Sequence, residues 1–149
     1  MNVSLWSGLA GAATVNLANE TARRFLPDAP RMDLVGEHAL TRILRAVGAG
    51  PLKGRKLYAA ALAGDLISNT GYYGAVARSS RPVLSGLMLG AMAGAGAVGL
   101  TPKLGLGKAE VQLTPRTAWL TFGWYLAGGL VAGVLARVLA PHDRLATAT

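Results

Sequence analysis

PVLSGLMLGAMAGAGAVGLT, residues Pro82–Thr101, and TAWLTFGWYLAGGLVAGVLA, residues Thr117–Ala136, each run twenty positions without a charged side chain. As a helix at about 1.5 Å per residue, either stretch is about 30 Å long, the thickness of a bilayer's hydrocarbon core. These two runs decide the reading. Lipid leaves every backbone N–H and C=O to be satisfied within the segment, so they are expected to be transmembrane helices.

Two weaker candidates lie upstream. Val3–Phe25 is apolar as far as Ala18 and then turns polar at Asn19, Glu20, Arg23 and Arg24. Leu57–Ala77 is broken by a single charge, Asp65. With Pro82–Thr101, expected to close at Pro102, and Thr117–Ala140, expected to close at Pro141, they make an all-α integral membrane protein. The expected form is a single four-helix transmembrane bundle with spans at about 3–25, 57–77, 82–101 and 117–140.

Between the first two spans, LPDAPRMD places two prolines and two aspartates where a turn and a new helix start are expected. Leu34, Val35, Ile43, Leu44 and Val47 then recur at roughly helical spacing among Glu37, His38, Arg42 and Arg45. This predicts an amphipathic helix over about 33–47, either on the membrane surface or packed against the spans. Lys103–Arg116 is a glycine-rich connection in which VQLT is expected to be a brief extended piece.

Composition excludes several classes. Hydrophobic residues make up 52% and charged residues 15% of 149 positions, too apolar for a disordered chain and too poor in charge for an ordinary soluble surface. There is no cysteine, which removes disulfides, thiolate metal sites and cysteine nucleophiles. No cofactor is expected. MNVSLWSGLA lacks the basic start of a secretory signal, so the first run is expected to be retained.

The net charge of +8 is distributed between the apolar runs, which favours the anionic inner leaflet over nucleic acid as partner. The first connection, with the polar end of span one, carries eight Lys and Arg and the third carries three. The second connection and the C-terminal end carry two each, a split of eleven against four. With four spans, that places both termini outside and the basic connection 26–56 in the cytoplasm, the arrangement of a bacterial-type inner membrane. Three spans would break the pattern. Trp6 and Phe25 lie about 28 Å apart along a helix and suit opposite interfaces. Tyr72 and Tyr73 fall towards the outer side and Trp119 near the inner one.

Gly86, Gly90 and Gly94 recur every fourth residue in span three, and Gly129 and Gly133 do so in span four, where Tyr125 shortens the stripe. Such stripes let helix backbones approach closely, within one chain or between copies. Self-association or a membrane-protein partner is expected.

The residues that bear chemistry are the acids at membrane depth. Asn16 lies four before Glu20, and Asn69 four after Asp65, so each amide shares a helix face with its acid. Measured from Phe25 and Leu57, Glu20 lies about 7 Å deep, Asn16 about 13 Å, Asp65 about 12 Å and Asn69 about 18 Å. On antiparallel neighbours the pairs overlap in height, and Asn16, Glu20, Asp65 and Asn69 form one candidate proton or cation site. Buried carboxylates have raised pKa values and can share a proton or hold a cation. The structural alternative pairs Glu20 with Arg24 and Asp65 with Asn69 or a distant cation, the amides bridging helices.

Other motifs fail. KLGLGK at Lys103–Lys108 is no phosphate loop, because Pro102 and Ala109 stand where Gly and Ser or Thr are required. His38 and His142 are isolated, and there is no G-x-S-x-G or H-E-x-x-H. Asn2-Val-Ser4 and Asn19-Glu-Thr21 match the glycosylation pattern but lie at or within a membrane segment. The chain is expected to be non-catalytic. It either passes protons or small cations by way of Asp65 and Glu20, or serves as a subunit or assembly factor of a larger membrane complex. A lipid-modifying enzyme using Asp65 and His38 is the weaker third reading.

Overall fold

The computed structural model describes residues 2–107, 110 and 114–140. Among these the chain is all-helical: α1 Val3–Phe25, α2 Met32–Ala46, α3 Gly54–Gly74, a short 3-10 turn Ala75–Arg78, α4 Pro82–Lys103 and α5 Pro115–Leu139. The VQLT residues 111–113, Lys108, Ala109, Pro141, His142 and Arg144 lie outside the described residues.

Local chemistry sets the helix ends. The Asn2 side chain accepts the Leu5 backbone N–H at 3.1 Å, so the first glycosylation-like triplet is a helix cap. α1 stops at Leu26, whose extended backbone is the conformation a following proline imposes. α2 ends on Gly48 at φ 69°, with Ala49 N–H donating to Leu44 O at 2.8 Å and Gly48 N–H to Arg45 O at 3.2 Å. α4 ends the same way on Gly105 at φ 65°, where Leu106 N–H donates to Thr101 O at 3.1 Å. Only a left-handed residue permits this closure, and glycine takes it without a Cβ clash.

The expectation that Pro102 closes the third span is therefore corrected. Pro102 lies inside the last turn of α4, which continues past it to Lys103, and the left-handed Gly105 closes the helix. α5 opens on a capping box between Thr114 and Thr117 with Pro115 at its first position.

α1 packs against both α3 and α5, and α5 makes the most extensive pairing, with α4. α3 and α4 pack on one another far less and are bridged by Tyr72, whose hydroxyl donates to Leu89 O at 2.9 Å. A seam lined by Ser68, Asn69, Tyr72, Met92 and Ala93 runs between them. The core gathers Val15, Tyr73, Val76, Tyr125, Ala132 and Ala136.

The α4–α5 contact is made by glycine. A Cβ on Gly86 would strike the Gly129 carbonyl, and one on Gly90 would lie 2.6 Å from Tyr125 O. A Cβ on Gly94 would lie 3.0 Å from Phe122 Cα, and one on Gly133 2.8 Å from Val83 Cα. The stripes thus meet within one chain. A second close approach joins α1 to its neighbours: a Cβ on Gly8 would meet the Thr70 carbonyl, and one on Gly11 would lie 2.8 Å from Gly128 O.

Among the described residues, α4 and α5 are the two helices long and apolar enough to cross a membrane. Only 22% and 33% of their most apolar windows are buried inside the protein, whereas the core helix of a soluble domain is mostly enclosed. Their outward faces carry Leu84, Met88, Met92 and Leu100 on α4, and Trp119, Leu130, Val134 and Val138 on α5.

Candidate functional site

The end of the bundle that gathers the C-termini of α1 and α4 and the N-termini of α3 and α5 is where α2 docks. Val35 is buried, and α2 packs on α3. Arg42 donates to the Leu104 and Gly105 carbonyls and His38 Nδ1 lies 3.0 Å from Leu106 O, so both hold the end of α4. α2 is thus held on the bundle as far as Arg42, while Ile43 and, just past its end, Val47 remain exposed. Asp28 of the PDAPRMD segment sits at the start of α5: its carbonyl accepts from Thr117 Oγ1 at 3.0 Å and its carboxylate lies 3.7 Å from Arg116. A carboxylate there complements the helix dipole.

An ion-pair cluster sits beside this dock. Arg23 donates to Glu20 Oε2 through Nε at 3.0 Å and Nη2 at 2.7 Å, and its Nη1 lies 3.5 Å from Asp33. Arg31 binds Asp33 in a two-point fork at 2.9 and 2.8 Å. The Arg23 guanidinium also lies over the Tyr58 ring, 5.6 Å from its centroid. The expected Glu20–Arg24 pair is corrected to Glu20–Arg23. Three and four residues along a helix are both within reach, and Asp33 and Tyr58 draw Arg23 inward while Arg24 stays exposed.

Burial pushes the Asp33 carboxyl up, but the Arg31 fork, the Leu34 backbone N–H and Arg23 together hold it below its ordinary value. A lowered folded-state pKa contributes stability that is present above the unfolded value of about 3.9 and is lost as pH falls through the folded value. Amide exchange in α2 is accordingly expected to stay protected from neutral pH down to about 4 and to accelerate below it. The Asp33→Asn variant should lose that acid-dependent component. An unchanged acid profile in the variant would remove Asp33 as the cause.

Behind this cluster, a cavity of about 30 Å³ is lined by Asn16, Asn19, Glu20, Asp33, Tyr58, Asp65 and Tyr125, among others. Asp65 Oδ2 accepts from Asn16 Nδ2 at 3.0 Å, joining α1 to α3. Asn69 lies one turn further along α3. Glu20 lines the cavity, but its hydrogen bonds go to Arg23. Among the described residues Asp65 makes no ion pair. Asp65 also lines a wider groove of about 310 Å³ with Met32, Val35, Ala93, Ala97, Leu100 and Tyr125. One carboxylate therefore faces both a small polar cavity and an open, largely apolar groove.

Asn19 is the residue that reading the sequence missed. It is 8% exposed, and its Nδ2 donates to Val15 O at 3.1 Å. Its Oδ1 is buried and has no hydrogen-bond partner among the described residues. The orientation is fixed chemically, since a helix carbonyl can only accept and the amide nitrogen must face it. Its spacing of three from Asn16 was the available signal. Among the described residues no group of three His, Cys, Asp or Glu side chains converges as a metal site. No family model, curated protein or solved structure matches this chain.

Proposed function

We propose that the chain is a four-span membrane protein in which Asp65 forms a proton or small-cation site on a passage route. In this reading α1 and α3 cross the bilayer with α4 and α5. Both termini lie outside, and the α2 end faces the cytoplasm and its anionic leaflet. Both apolar spans expose most of their surface, and the basic residues gather at the α2 end.

The observation that carries the functional reading is the position of Asp65. It lies eleven residues into α3, about 16 Å along the helix. It is hydrogen-bonded to Asn16, free of ion pairs among the described residues, and open to two cavities. An acid kept at such depth without a cation is costly unless it takes up a proton or an ion. Asn16 and Asn69 orient the carboxylate, and Glu20, held by Arg23, belongs to the closed cytoplasmic side of the route.

The test is proton and monovalent-cation flux into proteoliposomes, comparing the native chain with Asp65→Asn. The expected result is a flux at least tenfold lower in the variant, with reconstitution unchanged. No flux from the native protein under proton, sodium and potassium gradients would remove the passage reading.

The second reading, a subunit or assembly factor, rests on the open α3–α4 seam and on Ile67, Met88 and Met92, which are exposed beside it or on the same two helices. A partner's helix, or a second copy of this chain, would cover them. In that case Asp65→Asn weakens assembly and leaves flux absent in both proteins.

A further inference from the structure

We infer that the cavity between α1 and α3 binds one dehydrated alkali-metal cation, with the Asp65 carboxylate and the Asn19 amide oxygen as its ligands. This deepens the reading of Asp65 as an ion site and rests on it.

The first support is the orphaned Asn19 oxygen. A buried carbonyl oxygen without a donor loses its hydration with no return. Its own nitrogen is anchored to Val15 O, so the amide cannot turn away. Asn19 and Asp65 line the same cavity, and a cation there would satisfy both the orphaned oxygen and the carboxylate. The second support is charge. Around the cavity, Arg23 and Arg31 are paired with Glu20 and Asp33, and these four charges cancel. Asp65 is left as the single uncompensated negative charge, which matches one monovalent ion and not a divalent one.

Size points the same way. About 10–15 Å³ by this measure admits one water-sized body, so a cavity of about 30 Å³ holds a bare ion with at most one water. A hydrated ion or an organic cation such as choline does not fit. Asn16 lines the cavity too: its nitrogen is committed to Asp65 Oδ2 and to Ala12 O at 3.1 Å, so its oxygen is the atom it has to offer as a third ligand. The ligands are then all oxygen, the donor type that hard cations take.

The test uses the full-length protein in detergent at constant ionic strength, with sodium, potassium or choline chloride. Binding is read as radioactive sodium retention and as a shift in thermal unfolding. Saturable binding of sodium or potassium, absent with choline, is expected. Asp65→Asn should weaken it at least tenfold, and so should Asn19→Leu, while Asn19→Ser, which keeps a short oxygen, should bind more tightly than Asn19→Leu. If Asn19→Leu does not fold, the ranking of native, Asn19→Ser and Asp65→Asn still decides.

No cation-specific shift in the native protein, or native binding in Asn19→Leu, would overturn the inference. Proton flux that depends on Asp65, in a protein that binds no alkali cation, would leave passage standing and remove this cation site. Cation binding without any flux would keep the site and remove passage.

Discussion

Gly129→Leu should separate α4 from α5 and destabilise the protein by at least about 3 kcal/mol, the upper range for overpacking. The size of the effect follows from what the new side chain would meet. A Cβ at Gly129 would run into the Gly86 carbonyl and lie 2.9 Å from both Cα and N of Gly90. All three are backbone atoms of a helix and cannot rotate away as a side chain can. Relief requires the two helices to move apart, which breaks the close contacts at Gly86, Gly90 and Gly133 together. In lipid these contacts are the main attraction, because lipid tails are as apolar as the side chains they would replace. Gly123→Leu on the same helix is the control, since nothing lies within 4 Å of its Cβ position. Denaturant titration of the detergent-solubilised protein, followed by Trp fluorescence, should give a much lower midpoint for Gly129→Leu and a near-native one for Gly123→Leu. Equal midpoints would refute the glycine contact as the source of cohesion.

Tyr73→Ala is the second large effect, expected at about 3–5 kcal/mol, the range for removing a buried aromatic ring. Tyr73 is fully buried at the meeting of α1, α3 and α5, and its hydroxyl donates to Tyr125 O at 2.8 Å. The ring fills the space left by two missing side chains: Cβ atoms on Gly11 and Gly128 would lie 3.1 and 3.4 Å from it. Truncation leaves a void bounded by glycine backbones that have no side chain to fill it. Tyr73→Phe keeps the ring and loses one hydrogen bond, so it should cost only about 1 kcal/mol. The same titration separates the two variants. If Tyr73→Phe were as damaging as Tyr73→Ala, the hydrogen bond would be the main contribution and the packing account would fail.

Much of the architecture is legible in the sequence because it is local. Charge-free runs, prolines at helix starts and four-residue glycine spacing each act within one or two turns, so the extents of α1, α2, α4 and α5 follow closely. The end of α4 was misread because Pro102 is the more conspicuous breaker, whereas the left-handed Gly105 terminates the helix. The site divides along the same line. Asn16 and Asp65 overlap in height by simple helical rise, and the structure puts their side chains 3.0 Å apart. The choice of Arg23 over Arg24 depends on Asp33 and Tyr58, which come from other elements. Asn19 stands in the polar stretch where α1 was taken to be leaving the membrane, and only packing against its neighbours reveals an amide oxygen without a donor. The contact of α1 through Gly8 also had a signal, since Ser4, Gly8 and Ala12 recur every fourth residue.

The glycine seam of α4 and α5 has a bearing on the order of biogenesis. These two helices pack on one another and, among the described residues, are the two long and apolar enough to cross a membrane. They also follow α1 and α3 along the chain, so they leave the ribosome after them. The earlier pair, α1 and α3, carries the acids and amides and finds its support at Gly128 and Tyr125 of α5. Synthesis thus delivers the polar half before its apolar scaffold. In the proposed four-span reading, the acid-bearing half waits at the insertion machinery, in a half-made state, until α4 and α5 arrive to receive it.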